Sequence, residues 1–211
     1  MKRVLDKNQD KAEHIRKLLS KKDVKMYNFI SSPGAGKTTL LEKTCDQFRN
    51  EMNIGVIEGD VSTDRDAQRL KQFDIPIVLI NTEGGCHLDS NSIERALGEL
   101  DLSQLDAIFV ENVGNLVCPT HFDLGEHSKI AVVSTSEGDD KPIKYPMLFR
   151  DAKAVVLNKM DLLQYTNFSY DSFLQDLRDV NPSVPLFEIS CTSETGLEGW
   201  YNWILNEVNS K

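Results

Sequence analysis

The residue spacing that most clearly specifies a chemistry lies in residues 31–38, Ser-Ser-Pro-Gly-Ala-Gly-Lys-Thr. Small residues let successive backbone amides turn inward around anionic oxygens, and a helix that begins after them adds the partial positive charge of its N-terminus. The pattern predicts a phosphate-binding loop in which Lys37 reaches the outer phosphates and the Thr38 hydroxyl binds Mg²⁺. Ser31 stands where the pattern usually has glycine, so we interpret the loop as a variant. The predicted nucleotide-binding residues here are Ser32, Pro33, Gly34, Ala35, Gly36, Lys37, Thr38 and Thr39.

A second set of residues predicts which base is bound. Asn158, Lys159 and Asp161 form Asn-Lys-x-Asp, as in the tetrapeptide with which GTPases read guanine. The Asp161 carboxylate can accept two hydrogen bonds from guanine N1 and the 2-amino group, and adenine offers no such pair of donors. Lys159 would pack against the phosphate loop, while Ser190 and Cys191 belong to a Ser-Cys-Thr segment that would touch the base edge through its backbone. Asn-Lys-x-Asp alone is common enough to be a capped turn, but downstream of a phosphate loop it indicates GTP.

Carboxylates at the ends of two predicted strands are candidates to hold magnesium. Asp60 follows a strand predicted at 54–57, and Glu111 follows one predicted at 107–110. Together with Thr38 they would bind Mg²⁺ directly or through water, while Gly114 would donate its amide to the γ-phosphate. Asp66 is a candidate to position the attacking water, although a solvated helix start explains it equally well. The predicted catalytic residues are Lys37, Thr38, Asp60, Glu111 and Asp66.

A third set of residues has the ligand types of a zinc or nickel site. Cys86 and His87 are adjacent after one predicted strand, and Cys118 lies after another. A loop allows adjacent residues to face one metal ion, and three ligands would leave a site that a second copy of the chain could complete. His121 is either an auxiliary ligand or a solvated histidine. The alternative for the whole set is a pair of core thiols beside a histidine.

Alternating strands and helices are predicted to position these residues. Apolar runs predict strands at 26–30, 54–57, 77–80, 107–110, 130–133, 154–157 and 186–189, and helices are predicted at 8–22, 38–49, 65–73, 91–100, 170–180 and 197–208. Continuous apolar strands are buried on both faces, which predicts a mostly parallel sheet covered by helices. We expect a three-layer α/β fold of the P-loop NTPase type, with an N-terminal helix in residues 1–24 packed on one domain in residues 25–211. Ligands should bind at the carboxyl ends of the strands.

The composition excludes several other classes of protein. The net charge of −9 argues against nucleic acid as a partner, because phosphate backbones require a basic surface. No apolar run approaches the length of about 20 residues that a membrane span needs, and the first residues do not resemble a signal peptide. Four cysteines without an export signal favour reduced thiols, so we expect a cytoplasmic protein.

The motifs taken together resemble those of the hydrogenase nickel-incorporation GTPases of the HypB type, which are SIMIBI-class GTPases. Besides the phosphate loop and Asn-Lys-Met-Asp, the chain contains Glu-Gly-Asp, Cys-His-Leu-Asp, Glu-Asn-Val-Gly-Asn-Leu-Val-Cys-Pro, Phe-Asp-Leu-Gly-Glu and Glu-Gly-Asp-Asp-Lys-Pro. The resemblance covers residues 4–208. It implies a GTPase that helps load nickel into a [NiFe] hydrogenase large subunit, together with a small zinc-containing nickel-carrier accessory protein. It also implies a homodimer, formed when GTP or metal is bound, with Cys86, His87 and Cys118 at its interface.

Two alternative functions share some of these features. A urease maturation factor would share the GTPase core. Urease factors are expected to carry a Cys-Pro-His metal motif, whereas this chain has Cys86-His87 and a separate Cys118. A metal-binding module with a vestigial nucleotide site is the other alternative, and the intact Lys37, Thr38 and Asp161 argue against it.

Overall fold

A computed structural model of the protein describes residues 2–59 and 74–210, which form alternating strands and helices. The strands are β1 (Lys25–Ser31), β2 (Ile54–Gly59), β3 (Ile77–Ile80), β4 (Ala107–Glu111), β5 (Ser128–Ser134), β6 (Ala152–Asn158) and β7 (Leu186–Glu188). The helices are α1 (Lys2–Lys22), α2 (Lys37–Phe48), α3 (Ser90–Leu97), α4 (Cys118–His121), α5 (Lys141–Lys144), α6 (Pro146–Asp151), α7 (Tyr170–Val180) and α8 (Leu197–Asn209). A 3₁₀ helix covers Met160–Tyr165.

The strands form one seven-stranded sheet in the order β3-β2-β4-β1-β5-β6-β7. Every neighbouring pair is parallel, so the expected parallel sheet is confirmed. The central strand β1 lies between β4 and β5, with Lys25 opposite Ala107 and Tyr27 opposite Ser128. All carboxyl ends therefore meet at one edge of the sheet, and the sites are assembled there.

Helices cover both faces of the sheet and give the three predicted layers. On one face, α2 and α8 pack Leu41 and Trp200 against Phe29 of β1, and the buried Trp200 indole donates to Thr44 Oγ1 over 2.9 Å. The other face is covered by α1 and α3 beside β4, and by α6 and α7 beside β5 and β6. The alternation of side chains along β1 explains this division, because successive residues of a strand point to opposite faces.

The N-terminal helix α1 is part of the second of these faces. Its apolar residues Ala12, Ile15, Leu18 and Leu19 recur at helical spacing, and they are buried except for Leu18, which is partly buried against the same core. Its buried Asn8 also makes polar contacts with two distant segments. The Asn8 Nδ2 donates to the Asp123 carbonyl oxygen (2.7 Å), and its Oδ1 accepts from the Ser90 amide (2.9 Å).

The predicted elements differ from the observed ones mainly in length and in short helices. Helix α1 begins at Lys2 rather than at residue 8, because a charged first turn shows no apolar periodicity. Helices α4, α5 and α6 span four to six residues and are too short for a periodic pattern to predict. The helix predicted at 65–73 lies outside the described residues. Over the parts of the chain that the structure describes, no helix is long and apolar enough to span a membrane.

Candidate functional site

The predicted phosphate loop connects β1 to α2 and wraps around the first turn of that helix. Gly34 and Gly36 have φ angles of 77° and 94°, in the left-handed region that favours glycine. The Ala35 amide donates to the Ser32 carbonyl oxygen over 3.4 Å, which closes the turn. Ser31, at the position where glycine is more common, is fully buried and its hydroxyl donates to the Ser32 carbonyl oxygen (2.8 Å). A buried strand residue can fill this position, so the departure from the usual pattern leaves the loop intact.

A compact polar cluster lies where α2 meets the end of β4. The Thr38 hydroxyl donates to Glu111 Oε1 over 2.7 Å, and Lys37 Nζ lies 3.2 Å from the same oxygen. The side chains of Lys37 and Glu111 are only 10% and 6% exposed, so this pair is largely removed from water. The second carboxylate oxygen, Glu111 Oε2, is buried and has no hydrogen-bond partner. A cation is the natural partner of such an oxygen, so Glu111 and Thr38 fit a magnesium ion.

Asp60 was predicted to bind magnesium with this cluster, and Asp66 was a candidate to position the attacking water. Both lie outside the described residues. Strand β2, which directly precedes Asp60, ends at Gly59 beside Glu111, since Glu58 is paired with Glu111 in the register of β2 and β4.

Asn158 connects the phosphate loop to the two loops predicted to hold the base. Its Nδ2 donates to the Ala35 carbonyl oxygen (3.0 Å), while its Oδ1 accepts from the Lys159 amide (2.7 Å) and the Cys191 amide (3.2 Å). The side-chain amide of Asn158 also leaves no room for a side chain at Gly36, where a Cβ would overlap Asn158 Nδ2. Asn158 is nearly fully buried, so its main contribution is to fix three backbone segments relative to one another.

Lys159 and Asp161 extend along the same side of the site. Lys159 has a φ of 60°, and its Nζ donates to the Gly34 carbonyl oxygen (2.6 Å) and to Ser136 Oγ (3.1 Å). Its predicted position against the phosphate loop is therefore observed. Asp161 Oδ1 is buried and has no hydrogen-bond partner. A buried acceptor without a donor is costly, so this oxygen is suited to a ligand that brings its own N–H groups.

The Ser-Cys-Thr segment closes the base side of the site. Ser190 is buried and pairs with Thr195 through two backbone hydrogen bonds of 3.0 and 3.2 Å. Burial raises the pKa of the Cys191 thiol to about 11, so this thiol is protonated at neutral pH and unsuited to nucleophilic chemistry. Its amide, bonded to Asn158, holds the backbone of the segment in place.

The second chemical centre is formed by Cys86, His87 and Cys118. Their ligand atoms all lie within 4.8 Å of one another, and they are the described residues that form such a group. Cys86 Sγ is 3.5 Å from His87 Nδ1. Bond lengths of about 2.3 Å to sulfur and about 2.0 Å to nitrogen place two ligands of one tetrahedral ion about 3.5–3.8 Å apart. Small side-chain rotations therefore suffice for all three to bind one soft divalent ion.

Local backbone signals place Cys86 and His87. A tight turn precedes them, in which Glu83 and Gly84 have φ angles of 52° and 82° and the Gly85 amide donates to the Thr82 carbonyl oxygen (2.8 Å). Asp89 follows them and caps α3 by accepting from the Ser92 amide over 2.8 Å. The two ligands thus occupy the short segment between a turn and a helix cap.

The electrostatics of this cluster suit metal binding in exchange for protons. The neighbouring Cys118 thiol, together with some burial, raises the pKa of Cys86 above the ordinary thiol value. Burial lowers the pKa of His87, so the imidazole is neutral at pH 7 and offers a free nitrogen. A bound metal ion would therefore displace thiol protons, as it does at other thiolate sites.

Phe122 and His121 differ in their relation to the cluster. The Phe122 ring stacks on the His87 imidazole with 3.8 Å between ring centroids and an interplanar angle of 25°. Sequence reasoning missed Phe122, whose only signal was its place in the Phe-Asp-Leu-Gly-Glu motif. His121 ends α4 with an exposed side chain and is not part of the group of closely spaced ligand atoms. The structure thus brings together the three main candidates and leaves His121 outside.

A second residue that sequence reasoning missed is Lys141. Its Nζ lies 3.4 Å from Ser32 Oγ in the phosphate loop and 3.7 Å from Glu137 Oε1. It belongs to the Glu-Gly-Asp-Asp-Lys-Pro motif, whose residue types alone indicate no role. Lys141 adds a second cation close to the phosphate loop.

The two centres are connected through Gly114. A Cβ at Gly114 would lie 3.0–3.2 Å from atoms of Pro33, so the backbone of this segment packs directly against the phosphate loop. Glu111 precedes Gly114 by three residues and Cys118 follows it by four. One short segment therefore contributes to the phosphate loop cluster, contacts the loop itself and ends in a metal-ligand candidate.

The fold and the phosphate loop together define a P-loop nucleotide-binding protein, and comparisons with known proteins agree. Residues 25–188 match the model of the family described as "CobW/HypB/UreG, nucleotide-binding domain". The hydrogenase maturation factor HypB of Escherichia coli K12 is 45% identical over 201 residues, which are 95% of this chain and 69% of that protein.

Two solved structures are similar over nearly their whole length. The hydrogenase maturation factor HypB from Archaeoglobus fulgidus superimposes with a TM-score of 0.91 at 34% identity, covering 97% of this chain and 100% of that one. HypB from Helicobacter pylori, solved in complex with nickel, gives 0.90 at 37% identity, covering 96% and 95%. The chain belongs to the CobW/HypB/UreG family and, within it, to the HypB hydrogenase maturation factors. The predicted three-layer SIMIBI-class P-loop fold and the predicted family are confirmed.

Proposed function

We propose that this protein is a Mg²⁺-dependent GTPase that helps insert nickel into a [NiFe] hydrogenase, using a metal site whose geometry depends on the bound nucleotide. The observation that carries the proposal is the segment from Glu111 to Cys118. It begins at the carboxylate bonded to Thr38, packs against Pro33 at Gly114 and ends in the Cys86, His87 and Cys118 cluster. A change at the γ-phosphate has a direct covalent route to a metal ligand.

The phosphate side of the proposed mechanism rests on Lys37, Thr38 and Glu111. Lys37 would neutralise charge on the outer phosphates as the bond to the leaving GDP breaks, and its burial strengthens that interaction. Thr38, Glu111 and Asp60 would hold Mg²⁺, which supplies further positive charge to the β- and γ-phosphates. Gly114 would donate its amide to the γ-phosphate, and Asp66 remains the proposed residue that positions water. The residues of the phosphate loop, from Ser32 to Thr39, would surround the phosphates with backbone N–H groups.

The base side of the proposal rests on Asp161. Its buried, unpartnered Oδ1 would accept from the guanine N1 and 2-amino groups together with the other carboxylate oxygen. ATP would leave this carboxylate buried without donors, so GTP is the favoured substrate. Asn158, Lys159, Ser190 and Cys191 would frame the base through the contacts that already join their loops.

The metal side of the proposal needs a second chain. Cys86, His87 and Cys118 offer three ligands, and a closed tetrahedral or square site needs four. Cys86 is exposed and Val117, which precedes Cys118, is 49% exposed, so the cluster is accessible from outside. A homodimer that brings two such clusters together across a two-fold axis would complete the coordination. Nickel is the proposed cargo, and zinc would fit the same soft ligands.

The wider role follows from the relatives. The Escherichia coli and Azotobacter vinelandii proteins are named hydrogenase maturation factors, and the Helicobacter pylori structure is described as a nickel complex. From the resemblance of the motifs we propose that the chain receives nickel from a small zinc-containing carrier protein and acts on the hydrogenase large subunit. A relative from Helicobacter hepaticus is named a hydrogenase/urease maturation factor, which makes urease a second possible destination for the same cargo.

The test is metal-dependent assembly of Cys118→Ala. We expect the parent to dimerise in light scattering when Ni²⁺ or Zn²⁺ and a non-hydrolysable GTP analogue are added. Cys118→Ala should lose the metal-induced dimer and most of its metal affinity, yet retain a measurable basal GTPase rate. Cys45→Ala is the matched control, because Cys45 is a fully buried thiol of α2 whose pKa is raised by burial to about 12. If Cys118→Ala dimerises with metal as the parent does, Cys118 is a packing residue and the shared metal site is wrong.

A further inference from the structure

We propose that Asn112 is the positioning residue through which the nucleotide state reaches the other two metal ligands, Cys86 and His87. This inference rests on the proposed function, because it assigns the coupling between its two sites to one side chain. Neither Asn112 nor its contacts belong to the predicted nucleotide or metal ligands. The residue directly follows Glu111 and is 1% exposed.

The Asn112 side-chain oxygen is shared by the two segments that need to communicate. Asn112 Oδ1 accepts from the Val113 amide over 2.9 Å and from the Leu88 amide over 3.2 Å, and both hydrogen bonds are buried. Val113 directly precedes Gly114, which packs against Pro33 of the phosphate loop. Leu88 directly follows the ligand His87. One oxygen atom therefore accepts hydrogen bonds from the backbone next to Gly114 and from the backbone next to the candidate ligand His87.

The opposite end of the Asn112 side chain is anchored in the sheet. Asn112 Nδ2 donates to Asn28 Oδ1 over 3.1 Å, and Asn28 Nδ2 donates to Glu126 Oε1 over 3.3 Å. The backbone N–H of Asn112 also donates to the Phe29 carbonyl oxygen of β1 over 3.1 Å. Asn112 is thus held by the central strand β1, while its side-chain oxygen accepts from two loops. A displacement of one loop can therefore be passed to the other through this oxygen.

Leu88 is closely packed, so few of its contacts can change independently of the others. Its side chain is buried and lies so close to Gly59 that a Cβ there would come within 2.8 Å of it. Leu88 therefore lies between two partners, with its side chain against Gly59 at the end of β2 and its backbone amide bonded to Asn112 Oδ1. When Gly114 moves toward or away from the γ-phosphate, Val113 moves with it, and the shared oxygen shifts or loses one of two buried bonds. Because a buried amide without an acceptor is unfavourable, Leu88 and the adjacent His87 should move with the oxygen.

The experiment measures the coupling itself. Ni²⁺ affinity is determined by competition with a chromophoric chelator, once with Mg²⁺–GDP and once with Mg²⁺ and a non-hydrolysable GTP analogue. The ratio of the two affinities is the coupling factor, and linkage requires it to equal the factor by which Ni²⁺ changes the affinity for the GTP analogue relative to GDP. We expect a factor of at least 5 for the parent, within the range typical of coupled sites.

Three variants of Asn112 and one control decide the inference. Asn112→Ala and the nearly isosteric Asn112→Leu remove the shared oxygen, and we expect both to bring the coupling factor to within about twofold of 1. Asn112→Asp keeps an oxygen that accepts from both amides, and its second oxygen, protonated in this buried site, can donate to Asn28 Oδ1 in place of Nδ2, so it should retain the parent factor. Asn181→Ala is the control, because Asn181 Nδ2 also bonds backbone carbonyl oxygens, among them that of Phe149 (2.9 Å), far from both sites. It should lower the melting temperature without changing the factor.

The outcomes separate this inference from the function on which it rests. A coupling factor of 1 in the parent would contradict the nucleotide-dependent metal site. A parent factor that persists in folded Asn112→Ala or Asn112→Leu would overturn the role of Asn112 alone. Should neither apolar variant fold, Asn112→Asp decides: retention of the parent factor supports the shared oxygen as the link, and a factor near 1 overturns it.

Discussion

The base side and the metal side of the sheet edge are built in different ways. On the base side, beyond β5, the loops are joined by buried hydrogen bonds from Asn158 to Ala35, Lys159 and Cys191. On the metal side, beyond β4, Cys86 is exposed and the cluster sits at the protein surface. The proposed base side is held together within one chain, whereas the proposed metal side has three candidate ligands and is open to solvent.

If the proposed function holds, this difference explains how one edge of the sheet could bind a nucleotide tightly and also pass on a metal ion. Discrimination between bases needs a rigid pocket, because a movable carboxylate could turn to water when the wrong base enters. A metal that must be passed on needs a site that is accessible and incomplete in the single chain. The two sides meet at Gly114, which contacts the phosphate loop, and at the buried Asn112.

The largest effect is expected from Lys37→Ala, which tests whether the two sides are built independently. Removing the buried cation should lower GTP turnover by about 10³-fold, because preorganised charge at the transferred phosphoryl group is lost. Metal affinity of the nucleotide-free protein should be unchanged, since the cluster of Cys86, His87 and Cys118 does not contact Lys37. Turnover and metal titration are measured in parallel, with the exposed Lys153→Ala as control. An equal fall in metal affinity would show that the two sides are not separate.

Asp161→Asn tests the rigid base pocket. The amide cannot accept the pair of hydrogen bonds from guanine, so GTP affinity should fall by about 2–4 kcal/mol. Xanthosine triphosphate should gain affinity, because its 2-oxo group complements an amide donor. Titrations with both nucleotides measure the switch, and Asp171→Asn, an exposed residue in the first turn of α7, is the control. Unchanged GTP affinity would remove the guanine-pocket assignment.

The smallest effect concerns Glu126, a buried carboxyl group that is connected to Asn112 through Asn28. Burial raises the pKa of Glu126, the nearby Asp123 raises it further and Lys129 opposes the shift. A carboxyl whose pKa is raised in the folded state contributes stability that is present below its unfolded pKa and is lost as pH rises through the folded pKa. Glu126→Gln carries no charge, so its melting temperature relative to the parent should be higher at pH 8 than at pH 5. The gain should be about 3–5 °C for each pKa unit by which the folded-state pKa of Glu126 exceeds its unfolded value.

The control for this prediction is Glu13→Gln on α1, an exposed carboxyl group. It should show the same difference from the parent at both pH values. If Glu126→Gln also gives a difference that does not change with pH, then Glu126 titrates like a solvated carboxyl group. The network of Asn112, Asn28 and Glu126 would then be more accessible to water than its burial indicates.

The sequence predicted much of the fold because its strongest signals are local. Strand β3 was predicted with its observed bounds, and so was α7, since short apolar runs and helical periodicity are properties of neighbouring residues. The short helices α4, α5 and α6 were missed because four to six residues carry no periodic signal. His121 was a candidate on spacing alone, and spacing does not say toward which side a helix end turns.

By itself, the sequence determined the parallel α/β architecture and the phosphate loop and predicted three soft candidate ligands, because these signals lie in residue types within short stretches. Only the tertiary structure decided which distant residues share a contact. It placed Cys118 beside Cys86, stacked Phe122 on His87 and connected Asn112 to Leu88. Such contacts join residues that are 24 to 35 positions apart along the chain in separate loops. The order and register of the strands determine these contacts, since they decide which loops emerge side by side at the edge of the sheet.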